Sequence, residues 1–454
     1  MQSTKFHFSS ALTPQGWQDD VTLSIGPDGV IEGVAANSKY GYKIKGIAIP
    51  AMANVHSHAH QRCMAGLAER AGPGTDSFWT WREVMYGFAL KLGPDDLGAV
   101  AAQLYVEMLK SGFSVVGEFQ YLHHQPDGTP YGEPAELSLR CINAADQAGI
   151  AITMLPTLYN FGGFGGQEST PGQRRFVNNA ERYLRIYETL KRVCDDHPLR
   201  RLGISPHSLR AVTAELLKTV TAAIDGKAPI HIHVAEQVKE VDDCLAWSSR
   251  RPVDLMLDSF DVSPRWCAIH ATHMTEAETA RLAKSGAVAG LCPTTEANLG
   301  DGIFPAVNFL KSGGAIAIGS DSHITVSPAE DLRMLEYSQR LRDRTRNALA
   351  LGPGASTGRT LFDAALRGGA QAMAQPTGAL APGYRADIAV LDADHPALIG
   401  RRGDSVLDSW IFSGGNQCVK DVFVAGTHVV KDRRHVREDE IEAGFRAAMR
   451  RLSQ

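Results

Sequence analysis

Cysteine is sparse and scattered: seven residues, at 63, 141, 194, 244, 267, 292 and 418, with no CxxC pair and no regular spacing in a chain of 454 residues. That pattern argues against a disulfide framework and for seven free thiols in a reducing compartment. Neither sign of charge dominates, with 46 Lys+Arg against 50 Asp+Glu and a net charge of −4. There is thus no electrostatic reason to expect nucleic acid or an anionic membrane as partner. No apolar run approaches the roughly 18 residues of a membrane span, and the opening residues lack the basic and apolar regions of a signal peptide. A cytoplasmic location is the expectation. Solenoid repeats and low-complexity tracts are also missing.

What is present is alternation. Short apolar runs rich in β-branched residues recur at 46–58, 113–121, 150–159, 202–208, 229–236, 267–273, 287–297 and 315–322. Amphipathic stretches lie between them, among them 95–112, 213–226 and 276–286, each closed by glycine as a helix end prefers. Eight strand and helix units in series predict an α/β fold of the (β/α)8 TIM-barrel type over 49–378. No GxGxxG turn follows the first strand, which weakens a dinucleotide-binding alternative.

The two ends read differently. Residues 1–48 and 379–454 carry short alternating runs, "KFHFSSAL", "VTLSIGPDGVIEGVA", "PGYRADIAVLD", "DSWIFSG" and "VKDVFVAGTHVVKD", with turn signals at Pro27-Asp28-Gly29 and in "AGTH". Neither piece has the apolar area to stand alone. They are expected to pair into one small β-sandwich beside the barrel, followed by a terminal helix over 438–452. Glycine clusters at 161–173 and 351–358 mark the likeliest loops.

The unusual polar residues fall at the C-terminal ends of the strand candidates. His56 and His58 in "NVHSHAHQR" are two apart, hence on one strand face. His207 ends the fourth run, His233 and Glu236 the fifth, His270 the sixth and Asp321 the eighth. In a barrel these ends open on one face, where active sites of that architecture lie. A lone histidine at a strand end is more often a hydrogen-bonded structural residue than a ligand. Several histidines and an aspartate converging from apolar strands, where an unpartnered charge is costly, argue for a metal. Zinc is the default for imidazole and carboxylate donors, and iron remains open. Glu236, three residues past His233, is placed to carry a proton between water and a departing nitrogen; its plain alternative is a solvated carboxylate beginning a helix. His60, His123, His124, His273 and His323 read as structural or supporting, and His270 and His273 cannot both face the axis of one regular strand.

With "HSH", "HIHVAE", "HATH", "GSDS", "PGYRADIAVLD" and "VFVAGTHVV" in this order, the chain resembles the amidohydrolase superfamily over nearly its whole length. The fourth strand, "LGISPHS", lacks the lysine that binuclear members often carboxylate. The resemblance therefore implies a single zinc held by His56, His58, His233 and Asp321, with Glu236 as proton shuttle and His270 and Asp321 positioning the attacking hydroxide. The segments "NVHSHAHQRCMAGLAE", "DSFWTWREVMY", "VEMLKSGFSVVGEFQYLHH", "HSLRAV", "HIHVAEQVKEVDDC" and "TTEANLGDGIFP" are similar to the branch acting on formimidoyl amino acids. That branch implies hydrolysis of N-formimidoyl-L-glutamate to N-formyl-L-glutamate and ammonia, a homodimer, and substrate contacts from Gln61, Arg82, Tyr121, His207 and Arg210. Guanidinium groups match the two carboxylates of such a substrate, and Arg82, in the long loop after the first strand, and Arg210 are both expected at the barrel mouth. Singly, either arginine is more often a surface residue. The alternatives are a purine or triazine deaminase or chlorohydrolase, which would want stacking and amide contacts instead, and a non-catalytic barrel, which would be free to lose its ligands.

Overall fold

The computed structural model describes residues 3–71, 74, 76 and 78–453. Seventeen strands occur among them: β1 (Thr4–Thr13), β2 (Gly16–Ile25), β3 (Ile31–Ala35), β4 (Tyr42–Pro50), β5 (Met52–Ser57), β6 (Phe113–Gln120), β7 (Ala151–Leu158), β8 (Arg200–Leu202), β9 (Ser205–Pro206), β10 (Ile230–Val234), β11 (Trp266–His270), β12 (Val288–Leu291), β13 (Ala315–Ile318), β14 (Ile388–Leu391), β15 (Val419–Val424), β16 (Thr427–Lys431) and β17 (Arg434–His435). The fold is α/β. Strands β5 to β8 and β10 to β13 form two parallel sheets in which each strand pairs with the next in sequence. Nearly all their residues are buried, which explains why they read as continuous apolar runs rather than alternating ones.

Hydrogen bonds also join the two sheets at both margins. Ile204 and Ile230 form a parallel bridge, with Ile204 N donating to the Pro229 carbonyl at 2.9 Å and His231 N to that of Ile204 at 3.0 Å. At the other margin Asp321 N donates to the His56 carbonyl (3.0 Å) and His58 N to that of Asp321 (3.2 Å).

The terminal segments form a different sheet, in the order β17-β16-β15-β14-β4-β1-β2-β3. Its outer strand bonds back toward the middle: Ile31 N donates to the Tyr384 carbonyl at 2.8 Å, and Ala386 N to that of Gly29 at 2.9 Å. A small separate core of Phe8, Val21, Leu23, Ile388, Val390 and Phe423 lies within it. The "YRAD" motif ties this sheet to the parallel ones. Buried Asp387 accepts from Arg385 (2.6 Å), Ser114 Oγ (3.1 Å) and Thr377 Oγ (2.9 Å), so its charge is paired and its oxygens are occupied. The helix Glu438–Leu452 packs on α2 (Pro94–Ser111), with Lys110 paired to Glu438 at 2.8 Å.

Several elements depart from the sequence expectation. The run 46–58 is two strands. It breaks at Ala51, whose N–H donates to the Asp387 carbonyl, so β4 serves the terminal sheet and β5 the parallel one. Only the first part of 287–297 is strand; Pro293 opens the helix Pro293–Leu299. "DSWIFSG" is helical, not a strand, over Ser405–Gly414. Fully buried Trp410 meets Phe362 edge-on at 5.9 Å and Phe412 stacks on Tyr337 at 5.9 Å, so these aromatics pack on helices and never reach a sheet edge. All seven cysteines are unpaired and buried. No helix among the described residues is long and apolar enough to cross a membrane.

Candidate active site

The strand ends bring together the residues picked out in the sequence. One donor atom each from His56, His58 and His233 lies within 4.8 Å of the others, and the same holds for His56, His270 and Asp321. His58 Nδ1 donates to the Phe119 carbonyl and His233 Nδ1 to that of His207, each at 2.9 Å. Both rings therefore present a bare Nε2 to the centre. His56 Nε2 lies 2.9 Å from His233 Nε2 and 3.4 Å from Asp321 Oδ1, and His58 Nε2 is 3.5 Å from the same oxygen. Burial, with like-charged neighbours, holds His56 and His233 well below the usual imidazole range, so both are neutral. Lone pairs of neutral imidazoles and a carboxylate meeting at one buried point fit a divalent cation. Tetrahedral donors at about 2.1 Å from zinc stand about 3.4 Å from one another, close to the spacings found here.

The backbone at this point is strained. Asp321 (φ 47°), His270 (φ 68°) and Ala235 (φ 52°) all take the left-handed conformation that non-glycine residues avoid. Asn54 holds the closing turn: its Oδ1 accepts from Ser320 N at 3.1 Å and its Nδ2 donates to Ser320 Oγ at 2.6 Å. Gly319 lies flush against His56, where a Cβ would come 2.8 Å from the His56 nitrogen and Cβ. Gly319→Ala should therefore cost about 1–3 kcal/mol and loosen the metal. Thermal unfolding with metal analysis checks this, and unchanged values would show that the two segments have room to part.

His270 and Glu236 face each other, with His270 Nε2 3.8 Å from Glu236 Oε1 and also 3.8 Å from Asp321 Oδ2. Its Nδ1 meets Glu296 at 3.2 Å. Burial works against a charged ring, but Glu236, the bond to Glu296 and Asp321 outweigh it and raise the His270 pKa. Burial likewise raises Glu236. Glu240, itself buried, accepts from the Ala235 and Glu236 amides at 3.1 and 3.2 Å and fixes the turn that presents the Glu236 carboxylate. Glu118 does the same after β5, taking Ala59 N (2.8 Å) and Ser57 Oγ (2.7 Å).

Above this cluster is a pocket lined by all five residues expected to contact substrate. Gln61 Nε2 donates to Tyr121 Oη at 2.8 Å, and Gln61 Oε1 is buried with no partner among the described residues. His207 meets Ser208 Oγ at 3.2 Å through Nδ1. Arg82 is on a helix, α1 (Phe78–Ala89), and not in a loop as the sequence suggested. Its face carries Phe78, Trp81, Met85 and Tyr86 into the same pocket. The Nε atoms of Arg82 and Arg210 are both buried without a hydrogen-bond partner among the described residues.

Sequence reasoning missed Tyr86, Tyr159 and Phe176 in the pocket wall, and Glu118, Glu240 and Glu296 behind it. The glutamates carried a faint signal, since Glu240 and Glu296 each follow a strand end by a few residues, but so do many solvated helix-start carboxylates. The other histidines are outside the centre: His60 meets Tyr121 Oη (3.0 Å), while His123, His124 and His273 bond the carbonyls of Thr157, Val177 and Asp301. His323 meets Ser320 Oγ at 2.9 Å.

A model of the amidohydrolase family matches residues 47–429, and the chain belongs to that family, as a metal-dependent hydrolase acting on C–N bonds. Among its relatives is the formimidoylglutamate deiminase of Pseudomonas aeruginosa, 52% identical over 437 residues that cover 96% of each chain. A crystal structure of an amidohydrolase from Brucella melitensis superposes with a TM-score of 0.94 at 48% identity, covering 99% of this chain and 100% of that one. An adenosine deaminase from Xanthomonas campestris, crystallised with bound zinc, gives a TM-score of 0.83 at 20% identity, covering 100% and 99%. At that distance the likeness speaks for the fold alone.

Proposed function

We propose that this protein hydrolyses N-formimidoyl-L-glutamate to N-formyl-L-glutamate and ammonia, using one zinc ion held by His56, His58, His233 and Asp321. The observation that carries this reading is the pairing of two half-buried guanidiniums, each with an unpartnered Nε, with the imidazole and carboxylate cluster of the same pocket. An acyclic substrate with two carboxylates and an amidine carbon suits that polarity. Near-complete coverage of the Pseudomonas aeruginosa deiminase supports it.

Zinc bound there would supply Lewis acidity, lowering the pKa of water from 15.7 to about 7. The chain's own groups do the rest. Glu236 takes the proton of the attacking water and returns it to the departing nitrogen, its raised pKa suiting both directions of transfer. His270, 3.8 Å from both the Glu236 and the Asp321 carboxylates, orients the attack together with Asp321. Arg82 and Arg210 grip the carboxylates, and Gln61, Tyr121 and His207 fill the remaining polar positions around the substrate.

The scaffold of this reading is a closed (β/α)8 barrel over about 49–378. The hydrogen bonds at Ile204–Ile230 and Ser57–Asp321 support closure of the two parallel sheets into one ring. The back-bonding of β3 to residues 383–386 supports a terminal sheet folded over its own core as a small sandwich.

The direct test is ammonia release from N-formimidoyl-L-glutamate with the metal-loaded protein, set against guanine and adenine derivatives. Turnover of the rings alone would overturn the reading. Within it, Arg210→Ala should lower kcat/KM by about 10²-fold, since removing one partner of a buried charge pair costs about 2–5 kcal/mol. An unchanged value in steady-state kinetics would return Arg210 to a structural role.

A further inference from the structure

The arginine wall of the pocket has a second side. Arg82 and Arg210 also line an open outer groove, bounded by Trp79, Phe164, Lys239, Asp243 and Trp247. Trp247, on the helix Val238–Ser248, is 54% exposed at this groove. It stacks on Phe164 at 5.7 Å and 19°. The glycine-rich segment is shaped around it: Gly165 has φ +73°, and a Cβ there would come 2.7 Å from the indole nitrogen. The stacking on Phe164 fixes one face of the Trp247 ring and leaves the indole partly open to the groove. The groove also carries a third cation. Lys239 Nζ is 2.7 Å from Asp243 Oδ2 and 5.8 Å from the Trp79 ring centroid. The Arg82 guanidinium is 4.5 Å from the same ring, so the two cations share one aromatic neighbour.

We infer that the outer groove binds an amino-acid residue joined by an amide bond to one carboxyl group of the substrate, so that formimidoylglutamyl dipeptides are substrates too. This rests on the deiminase reading above. One appended residue extends the ligand by about 3.5 Å, carrying its terminal carboxylate past the arginines toward Lys239. The planar peptide group lies against Trp247 and Phe164, and the amide carbonyl that replaces a carboxylate still accepts from a guanidinium. The reaction is unchanged: water adds at the amidine carbon, the bond to the terminal nitrogen breaks, ammonia leaves and the peptide bond stays intact.

The experiment compares ammonia release from N-formimidoyl-L-glutamate with that from its α- and γ-linked glycine dipeptides, using the metal-loaded full chain and its Lys239→Ala and Trp247→Ala variants. Turnover of a dipeptide is expected. Each variant should lower kcat/KM for the dipeptide about fivefold while moving the parent less than about twofold; Lys239→Ala also leaves Asp243 to repel the terminal carboxylate. Turnover of the parent alone, or equal effects on both substrates, overturns the groove assignment and leaves the deiminase reading standing. Turnover of neither overturns both.

Discussion

Glu236→Gln should retain its metal and lose about 10²–10⁴-fold in kcat, the range a positioned acid/base contributes. The amide keeps the shape of the carboxylate, and the two bonds from Glu240 go to the backbone amides of Ala235 and Glu236, which the substitution leaves in place. The variant therefore tests proton transfer with little change in architecture. KM should move far less than kcat, because in the proposed mechanism Glu236 acts on the water and the leaving nitrogen while the arginines hold the substrate. Metal analysis beside steady-state kinetics decides the matter. Near-normal turnover with full metal content would remove Glu236 from the chemistry.

His58→Ala should abolish activity by emptying the centre. The imidazole is buried, its Nδ1 is fixed by the Phe119 carbonyl, and its Nε2 is one of the few bare nitrogens at the cluster. Its loss leaves a gap among the donors that water fills poorly as a ligand. Wild-type protein stripped with a chelator should regain activity on adding zinc, whereas the variant should not. A variant that holds stoichiometric metal and turns over normally would show that the four proposed donors are not the ones that matter.

Much of this site was legible because a strand alternates its faces. His56 and His58, two apart, had to share a side. By the same rule His231 shares a face with His233, yet its Nε2 bonds the Ala372 carbonyl at 2.8 Å, so alternation alone does not tell the ligand from its neighbour. The eighth run placed Asp321 beside them because parallel strands end together. What the sequence concealed depends on folding at a distance. Nothing local marks Glu296 as the partner of His270, since the contact joins the end of one strand to the helix after the next. Arg82 looked like a loop residue because α1 follows a glycine- and proline-containing stretch, and its helical face becomes recognisable only from the pocket it lines. "DSWIFSG" misled for a related reason: its alternation suits a strand, but Trp410 and Phe412 find partners on helices. The run 46–58 concealed a junction, since the single residue Ala51 separates two sheets that are both apolar.

That junction bears on how the molecule is made. Strand β4 emerges from the ribosome early and pairs with β1, but its other edge waits for β14, which is synthesised after every strand of the parallel sheets. Until then an apolar edge stands open immediately upstream of the histidines, a condition that favours chaperone capture and intermolecular pairing. The first strands translated are thus among the last to be sealed, and the metal centre is anchored to a seam that closes only when the tail arrives.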